Sequence, residues 1–273
     1  MNRLVIVIVS FNTRRALGQC LRSLHAPSPR VDHDIIVVDN ASTDGSVEVV
    51  KSDWPNVQLI QLEQNKGYAQ ATNIGIRATA STFILLLNSD TIIPVGSIDH
   101  LVDVLNSHTD AAIVGPRLID MEGHLELSFG RMLNPWNEAR QKLLSIALRR
   151  RLPLVTTFIE HKAATTHYTD WVSGACLLVR RSDAESVGLL DERFFLYTED
   201  VDFCAAVRDR GRRVLFTPTI EVIHARGRSG THTPVGTYTA YRLSHLAFYE
   251  KHHPAWTPLL RLYLRLRGKL PES

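Results

Sequence analysis

"LLLNSDT" (residues 85–91) is an apolar run that stops abruptly in Asn88-Ser89-Asp90. The run reads as a buried strand. Polar side chains directly after such a strand are either turn chemistry or the rim of a ligand site. Two earlier segments break in the same way: "LVIVIVSFN" (4–12) runs into Ser10-Phe11-Asn12, and "IIVVDN" (35–40) ends in Asp39-Asn40. Helical stretches are expected at about 14–25, where Leu17, Leu21 and Leu24 share a face, and at about 44–52 and 67–79, with a further strand over 57–62. Strands alternating with helices predict an α/β fold with a Rossmann-like, mostly parallel central sheet and helices on both faces. Ligands on such sheets bind beyond the carboxyl ends of the strands. One polar strand end is a turn, but three that open on one edge predict a site.

The bulk properties narrow the classes. A chain of 273 residues can bury a sizeable core, as one large domain or two small ones. Hydrophobic residues at 44% and charged residues at 22% are ordinary for a globular protein. A net charge of +3 is far too small to argue for nucleic acid as a partner. Cys20, Cys176 and Cys204 share no close spacing, so neither a disulfide framework nor a zinc site is indicated, and a reducing cytoplasm is the natural setting. The aliphatic run Leu4–Val9 is short for a signal peptide, and no stretch approaches the roughly 20 apolar residues of a spanning helix. The second half is less regular, with strands expected over 112–114, 171–180 and 213–216 and helices over 135–151 and 198–210.

Each polar cluster has a bland reading beside a chemical one. In "VVDNASTDGS" (37–46), Ser42, Thr43 and Asp44 suit the capped start of a helix. That leaves Asp39 unexplained, and a base or ribose contact would explain it. Lys66 and Gly67 make a turn before a helix, or bring cation and backbone to a nucleotide diphosphate, while Ala71 and Gly75 allow close helix–sheet packing. Asp90 beside Asn88 and Ser89 is either an Asx turn or a one-carboxylate site for a hard divalent cation shared with substrate phosphates. Glu199, Asp200 and Asp202 complement a helix dipole. They also emerge from Phe194-Phe195-Leu196-Tyr197, an apolar setting that raises carboxyl pKa values and suits a general base. Asp202 has a structural alternative in pairing with Arg208 or Arg210. His224 at a strand end is a hydrogen-bonded structural group or the completion of a divalent site. Arg226 and Arg228, between glycines, can neutralise phosphate oxygens. Trp171-Val172-Ser173-Gly174 resembles an edge where the glycine admits another molecule.

Taken in order, "VIVIVSFN", "VVDNASTDGS", "NKGYAQATNIGI", "LLLNSDT", "VSGACLLVRR", "YTEDVDFC" and "VIHARGRSG" resemble the motifs of the family-two inverting glycosyltransferases, in particular their rhamnosyltransferase-like bacterial branch. The resemblance runs from residue 4 to about 230. It implies a GT-A fold: a single domain over 1–230, with a nucleotide-sugar half (1–115) and an acceptor half (116–230), followed by a helical extension (231–273). It implies that Asp39 contacts the nucleobase, that Ser10 and Asn12 line the nucleoside pocket, and that Lys66, Gly67, Asn88, Ser89, Arg226 and Arg228 serve the donor. Asp90 and His224 would hold Mg²⁺ or Mn²⁺, Asp200 with Glu199 beside it would be the catalytic base, and Trp171, Gly174 and Asp202 would face the acceptor. Asn88 departs from the family's usual first aspartate, which leaves the metal leaning on Asp90, the diphosphate and His224. The implied donor is a nucleotide-diphosphate sugar, with dTDP-rhamnose first and hexosyl or galactofuranosyl donors as alternatives. The implied acceptor is a saccharide or lipid-linked saccharide of the cell envelope. A non-catalytic nucleotide-sugar-binding homologue is the rival class.

The tail is outside those motifs. "LLRLYLRLRGKL" (259–270) places Leu259, Leu262, Tyr263, Leu266 and Leu270 on one helical face with Arg261, Arg265 and Lys269 opposite. Such a helix lies on the inner face of an anionic plasma membrane, docks on its own domain, or makes a homodimer contact.

Overall fold

The structure, a computed structural model, describes residues 3–25, 27–150, 152–225 and 234–271. The first half alternates as expected: β1 (Leu4–Ser10), α1 (Arg14–His25), β2 (His33–Asp39), α2 (Ser46–Asp53), β3 (Gln58–Gln61), α3 (Tyr68–Arg77) and β4 (Phe83–Asn88). There follow β5 (Thr91–Ile92), α4 (Ser97–Ser107), β6 (Ala111–Ile119), β7 (Leu125–Glu126), β8 (Phe129–Gly130), α5 (Pro135–Arg149) and α6 (Pro153–Lys162). The chain continues through β9 (His167–Thr169), β10 (Trp171–Val172), β11 (Cys176–Arg180), α7 (Arg181–Ser186), α8 (Glu199–Asp209), β12 (Arg213–His224), α9 (Pro234–His252) and α10 (Thr257–Leu266).

One sheet runs through both halves in the order β3-β2-β1-β4-β11-β6-β12-β5, with β7 on β6 and β9 on β12. β3, β2, β1 and β4 are mutually parallel, as are β6 and β12, while β11 runs antiparallel between β4 and β6. The sheet is covered on both faces, and β1 shows why its sequence is continuously apolar. All seven of its residues are buried. Val5, Val7 and Val9 enter one core with α3, α8 and α9, whereas Leu4, Ile6 and Ile8 enter the other with α1 and α4. That alternation is the two-residue period of a strand expressed on two buried faces.

Gly75 fixes how close α3 comes to the sheet: a Cβ there would lie 2.7 Å from Val7 Cγ1 and 3.0 Å from Val38 Cγ2. The register then sets the three polar strand ends side by side, with Ser10 opposite Asp39 and Val9 opposite Asn88. The expected single strand over 171–180 is broken, because β10 pairs with β8 and β11 joins the main sheet, so Ser173-Gly174-Ala175 crosses between the two. The strand expected over 213–216 instead continues to His224, with a register shift between Thr217 and Glu221. α9 belongs to the packed body, since Phe248 and Tyr249 are buried in the first core. No helix among the described residues is long and apolar enough to cross a membrane.

Candidate active site

The strand ends open into a cleft of about 600 Å³. Phe11, Thr13 and Asn40 line one side, Asn88, Ser89, Asp90 and His224 the floor, and Gly174 and residues 195–200 the other side. Asp90 and Asp200, remote in sequence, therefore face the same space.

On the nucleotide side the β1 and β2 loops are tied together. The Asn12 N–H donates to Ser42 Oγ at 2.9 Å, and the Thr43 N–H donates to Asn12 Oδ1 at 2.8 Å. Asn12 takes a left-handed backbone (φ 54°), which asparagine tolerates better than most residues. Ser42 and Thr43 are thus loop ties rather than helix caps. Asp44, one residue before the α2 N-cap Gly45, accepts from the Ser46 N–H at 3.0 Å. Asp39 accepts the Ser42 N–H on Oδ2 at 2.9 Å, while its buried Oδ1 has no hydrogen-bond partner among the described residues. A buried carboxylate oxygen left in that state is costly unless something donates to it, and the imide N–H of a pyrimidine base is a donor of the required kind. Ser10 is fully buried and shares a hydrogen with Thr13 at 2.9 Å, so it is Thr13 and Phe11 that present surface to the cleft. The Lys66 N–H donates to Asn40 Oδ1 at 2.8 Å, and the lysine is not part of the cleft lining.

At the floor, Asp90 is 4% exposed and its Oδ1 lies 3.3 Å from His224 Nε2. The opposite ring nitrogen, His224 Nδ1, lies 3.0 Å from Glu126 Oε2. Burial pushes His224 down, but the hydrogen bonds to Asp90 and Glu126 outweigh it and lift the imidazole to about 9. Asn88 Nδ2 sits 3.5 Å from His224 Nε2, so the amide that departs from the family pattern borders this pair. A carboxylate and an imidazole nitrogen converging at the base of a cleft suit a divalent cation that displaces the Nε2 proton and takes its remaining ligands from substrate phosphates. Glu126 was not singled out from the sequence, because only the pairing of β7 with β6 brings it to His224. A second group, Asp120, Glu122 and His124, lies in the β6–β7 turn. There the Asp120 carboxylate accepts the N–H groups of Glu122 and His124 at 2.9 and 2.8 Å, which is turn chemistry.

The far wall is built around Gly67 and Gly174. Gly67 has φ 80°, and a Cβ there would lie 2.5 Å from the Phe195 carbonyl oxygen, which in turn accepts the Tyr68 N–H at 2.7 Å. Glycine at 67 thus admits the 195–198 loop, and the residue also lines the cleft. Tyr197 and Thr198 follow with φ 69° and 65°, two consecutive left-handed residues of the kind held only under constraint. They turn the chain so that α8 begins with its acidic residues at the cleft. Asp200 Oδ2 accepts the Gly174 N–H at 2.8 Å, and its Oδ1 accepts the Val201 N–H at 2.8 Å. A Cβ on residue 174 would stand 3.1 Å from Asp200 Cβ, so glycine is what lets that bond form. Burial raises the Asp200 carboxyl above its usual value of 3.8, with the two N–H bonds pulling the other way. Glu199, 7% exposed, is held well above its usual 4.5 by burial and by the neighbouring Asp200. Adjacent carboxyls kept in different surroundings are the usual basis of acid and base assignments.

Two residues expected on the acceptor side are committed elsewhere. Asp202, 1% exposed, lies 2.9 Å from Lys251 Nζ and 2.6 Å from His252 Nε2, fastening α8 to α9. Its expected partner Arg208 pairs instead with Asp170 at 2.8 Å. Trp171 is buried, and its indole N–H donates to the Arg131 carbonyl at 2.9 Å. Helical amphipathicity at the start of α8 does not reveal that position 202 points into the body. Arg226 and Arg228 lie outside the described residues.

Comparison with known proteins agrees with this arrangement. The chain is 30% identical, over 99% of its own length and 95% of the relative's, to the N-acetylglucosaminyl-diphospho-decaprenol L-rhamnosyltransferase of Mycobacterium tuberculosis. It is 26% identical, over 81% of its length and 72% of the relative's, to the dTDP-rhamnosyl transferase RfbF of Shigella flexneri. Among solved structures, the mannosyltransferase PcManGT of Pyrobaculum calidifontis, in complex with GDP-Man and Mn²⁺, superposes with a TM-score of 0.60 at 18% identity, covering 94% of this chain and 67% of that one. Residues 5–183, from the first strand through most of the cleft wall, match the family model described as Glycosyl transferase family 2. A GT-A sheet with its polar strand ends gathered on one cleft, matched along that length, makes this chain a member of glycosyl transferase family 2 and a glycosyltransferase.

Proposed function

We propose that the chain transfers a sugar, rhamnosyl from dTDP-rhamnose as first choice, from a nucleotide diphosphate to a saccharide or lipid-linked saccharide of the cell envelope, with inversion. The observation that carries this reading is that Asp90 with His224 and Asp200 with Glu199 line the same cleft of about 600 Å³. The names of the Mycobacterium and Shigella relatives support the choice of rhamnosyl donor, and the former also supports a lipid-linked acceptor.

Asp39 Oδ1 receives the nucleobase N–H, and the loop ties at Asn12, Ser42 and Thr43 hold that carboxylate in place. Asp90 and His224 would hold the divalent cation, whose chemistry when bound is to offset negative charge on the departing diphosphate. Asp200, oriented by the Gly174 and Val201 N–H groups, takes the proton of the acceptor hydroxyl. The acceptor oxygen forms its bond to the anomeric carbon from the face opposite the diphosphate, and the bond to the diphosphate oxygen breaks with its electron pair leaving on the nucleotide. No covalent intermediate on the protein is involved. Burial raises the Glu199 carboxyl well above its usual range, which lessens the negative charge beside Asp200. A non-catalytic binder has no use for such a base, which favours turnover over the rival class.

Thermal denaturation against a panel of nucleotide-sugars, with and without Mn²⁺ or Mg²⁺, tests the donor side. One nucleotide-sugar should raise the Tm more than the others, and more so with the cation. A flat response across the panel would remove the reading.

A further inference from the structure

Outside the cleft, α5 and α6 enclose a second, small pocket of about 50 Å³ with an unusual lining. Asn137, Arg140, Gln141 and Leu144 line it from α5, a spacing of i, i+3, i+4 and i+7 that places all four on one helical face. Ile159 and Lys162 line it from α6, and Arg131 completes it from the segment after β8. Three cations and two amides thus point between two helices, over a floor that includes Phe129.

The charges are not balanced from within. Among the described residues, no acidic side chain makes an ion pair with Arg131, Arg140 or Lys162. Asp170, the nearest acid felt by Lys162, is already taken by Arg208 at 2.8 Å and by the Met132 N–H at 2.8 Å. Glu138, on the same helix, serves His245 and the Tyr249 hydroxyl. Partial desolvation, then the Arg140 and Arg131 charges, lower the Lys162 pKa, while Asp170 acts the other way. An anion with several acceptor oxygens offsets those like charges, and guanidinium groups suit phosphate in particular. Phe158 of the lining is 53% exposed, and the same two helices expose Leu143 on α5 and Leu154 on α6 at 68% and 88%.

The pocket adjoins the cleft through β8 and β10: Phe129 of the pocket pairs with Val172, and the Ser173 N–H, in the cleft lining, donates to the Ser128 carbonyl at 2.8 Å. Trp171, whose indole N–H holds the Arg131 carbonyl, begins the stretch that reaches Gly174 and Asp200 three residues later. Three residues of chain span at most about 10 Å, a reach that one sugar and its phosphoester linkage can bridge.

We propose that the Arg131, Arg140 and Lys162 pocket holds the phosphate or diphosphate of the acceptor, with the acceptor's apolar chain lying over Leu143, Leu154 and Phe158. This rests on the reading of the chain as a transferase onto a lipid-linked saccharide. The pocket then positions the acceptor, presenting its sugar hydroxyl to Asp200, and discriminates lipid-phosphate acceptors from free saccharides.

The test uses the full chain and an Arg140→Gln/Lys162→Gln double variant, both positions being exposed. Two acceptors are compared: a short-chain prenyl diphosphosaccharide and the same saccharide as an alkyl glycoside without phosphate. The double variant should raise the KM for the diphosphosaccharide by about 10–100-fold, the scale of losing charge-assisted hydrogen bonds. Its KM for the donor and for the alkyl glycoside should not move. No change with the diphosphosaccharide, or an equal change with both acceptors, would overturn the proposal. Calorimetric binding of each amphiphile, with the donor nucleotide saturating, separates this inference from the functional reading. Binding that the double variant loses, in a wild-type protein that transfers nothing, would leave the pocket standing and the transferase reading fallen. Inorganic pyrophosphate binding as tightly as the diphosphosaccharide would assign the pocket to a free anion and overturn the lipid-linked acceptor.

Discussion

Glu199 and Asp200 are chain neighbours held in different surroundings: Asp200 accepts two backbone N–H groups, whereas Glu199 Oε2 is buried without a hydrogen-bond partner among the described residues. Both carboxyls titrate above their ordinary values in the folded chain, Glu199 the more strongly. The native state therefore keeps a proton that the unfolded state has lost, so stability falls as pH rises from the usual glutamate value of 4.5 through the raised native one. Glu199→Gln should flatten that fall, read as urea stability between pH 5 and 8; an unchanged slope would contradict the assignment. For the same reason the acid limb of kcat/KM should lie above pH 3.8, the ordinary aspartate value, because Asp200 must be ionised to act. Glu126 gives a third prediction. Its carboxylate fixes the His224 ring through Nδ1, so Glu126→Ala should weaken Mn²⁺ binding by about 10–100-fold. Electron paramagnetic resonance titration in the presence of nucleotide reads this, and Glu126→Gln should retain most of the affinity. Asp39, Asp90 and Asp200 were legible in the sequence because each sits at the end of a strand or the start of a helix, where burial and charge conflict locally. Glu126 was not, because its meaning depends on a partner 98 positions away.

Among the elements, the strands of the first half follow from their composition, while the breaks in the second half follow from tertiary pairing. Residues 171–180 are rich in β-formers, yet β8 claims the first two and the main sheet the last five, on either side of Ser173-Gly174-Ala175. The crossing that results delivers Gly174 to Asp200, so the misread element is the one that builds the site. Helix α3 depends on Gly75 for its approach to β1 and β2. Gly75→Ala would place a methyl against Val7 and should cost about 1–3 kcal/mol by overpacking, read from the denaturation midpoint. Helix α10 was legible as amphipathic, but its docking was not. Leu264 is fully buried, whereas Leu259, Leu262, Tyr263 and Leu266 remain 57%, 52%, 53% and 78% exposed. The apolar stripe foreseen over 259–270 therefore faces outward, and every charged side chain over 257–271 is basic. Co-sedimentation with anionic liposomes should fall in a chain truncated after Pro258; equal partitioning would return the stripe to a homodimer contact or to plain solvent.

Across the whole molecule, two cores on opposite faces of one sheet hold the edge on which everything chemical is placed. Val5, Val7 and Val9 anchor one face and Leu4, Ile6 and Ile8 the other, so the carboxyl ends of β1, β2 and β4 are fixed in register from both sides. α8 is locked to α9 through Asp202, Lys251 and His252, which holds the Asp200 carboxylate against the same edge. The account thus rests on Asp90 and Asp200 acting on one activated sugar from two sides of a rigid cleft. The direct measurement compares Asp200→Asn with wild type, recording donor nucleotide-sugar affinity and transfer rate on the same preparations. Affinity should stay within about twofold while transfer falls by about 10²–10⁴-fold, the range for loss of a general base. An Asp200→Asn protein that transfers sugar at the wild-type rate would contradict the account.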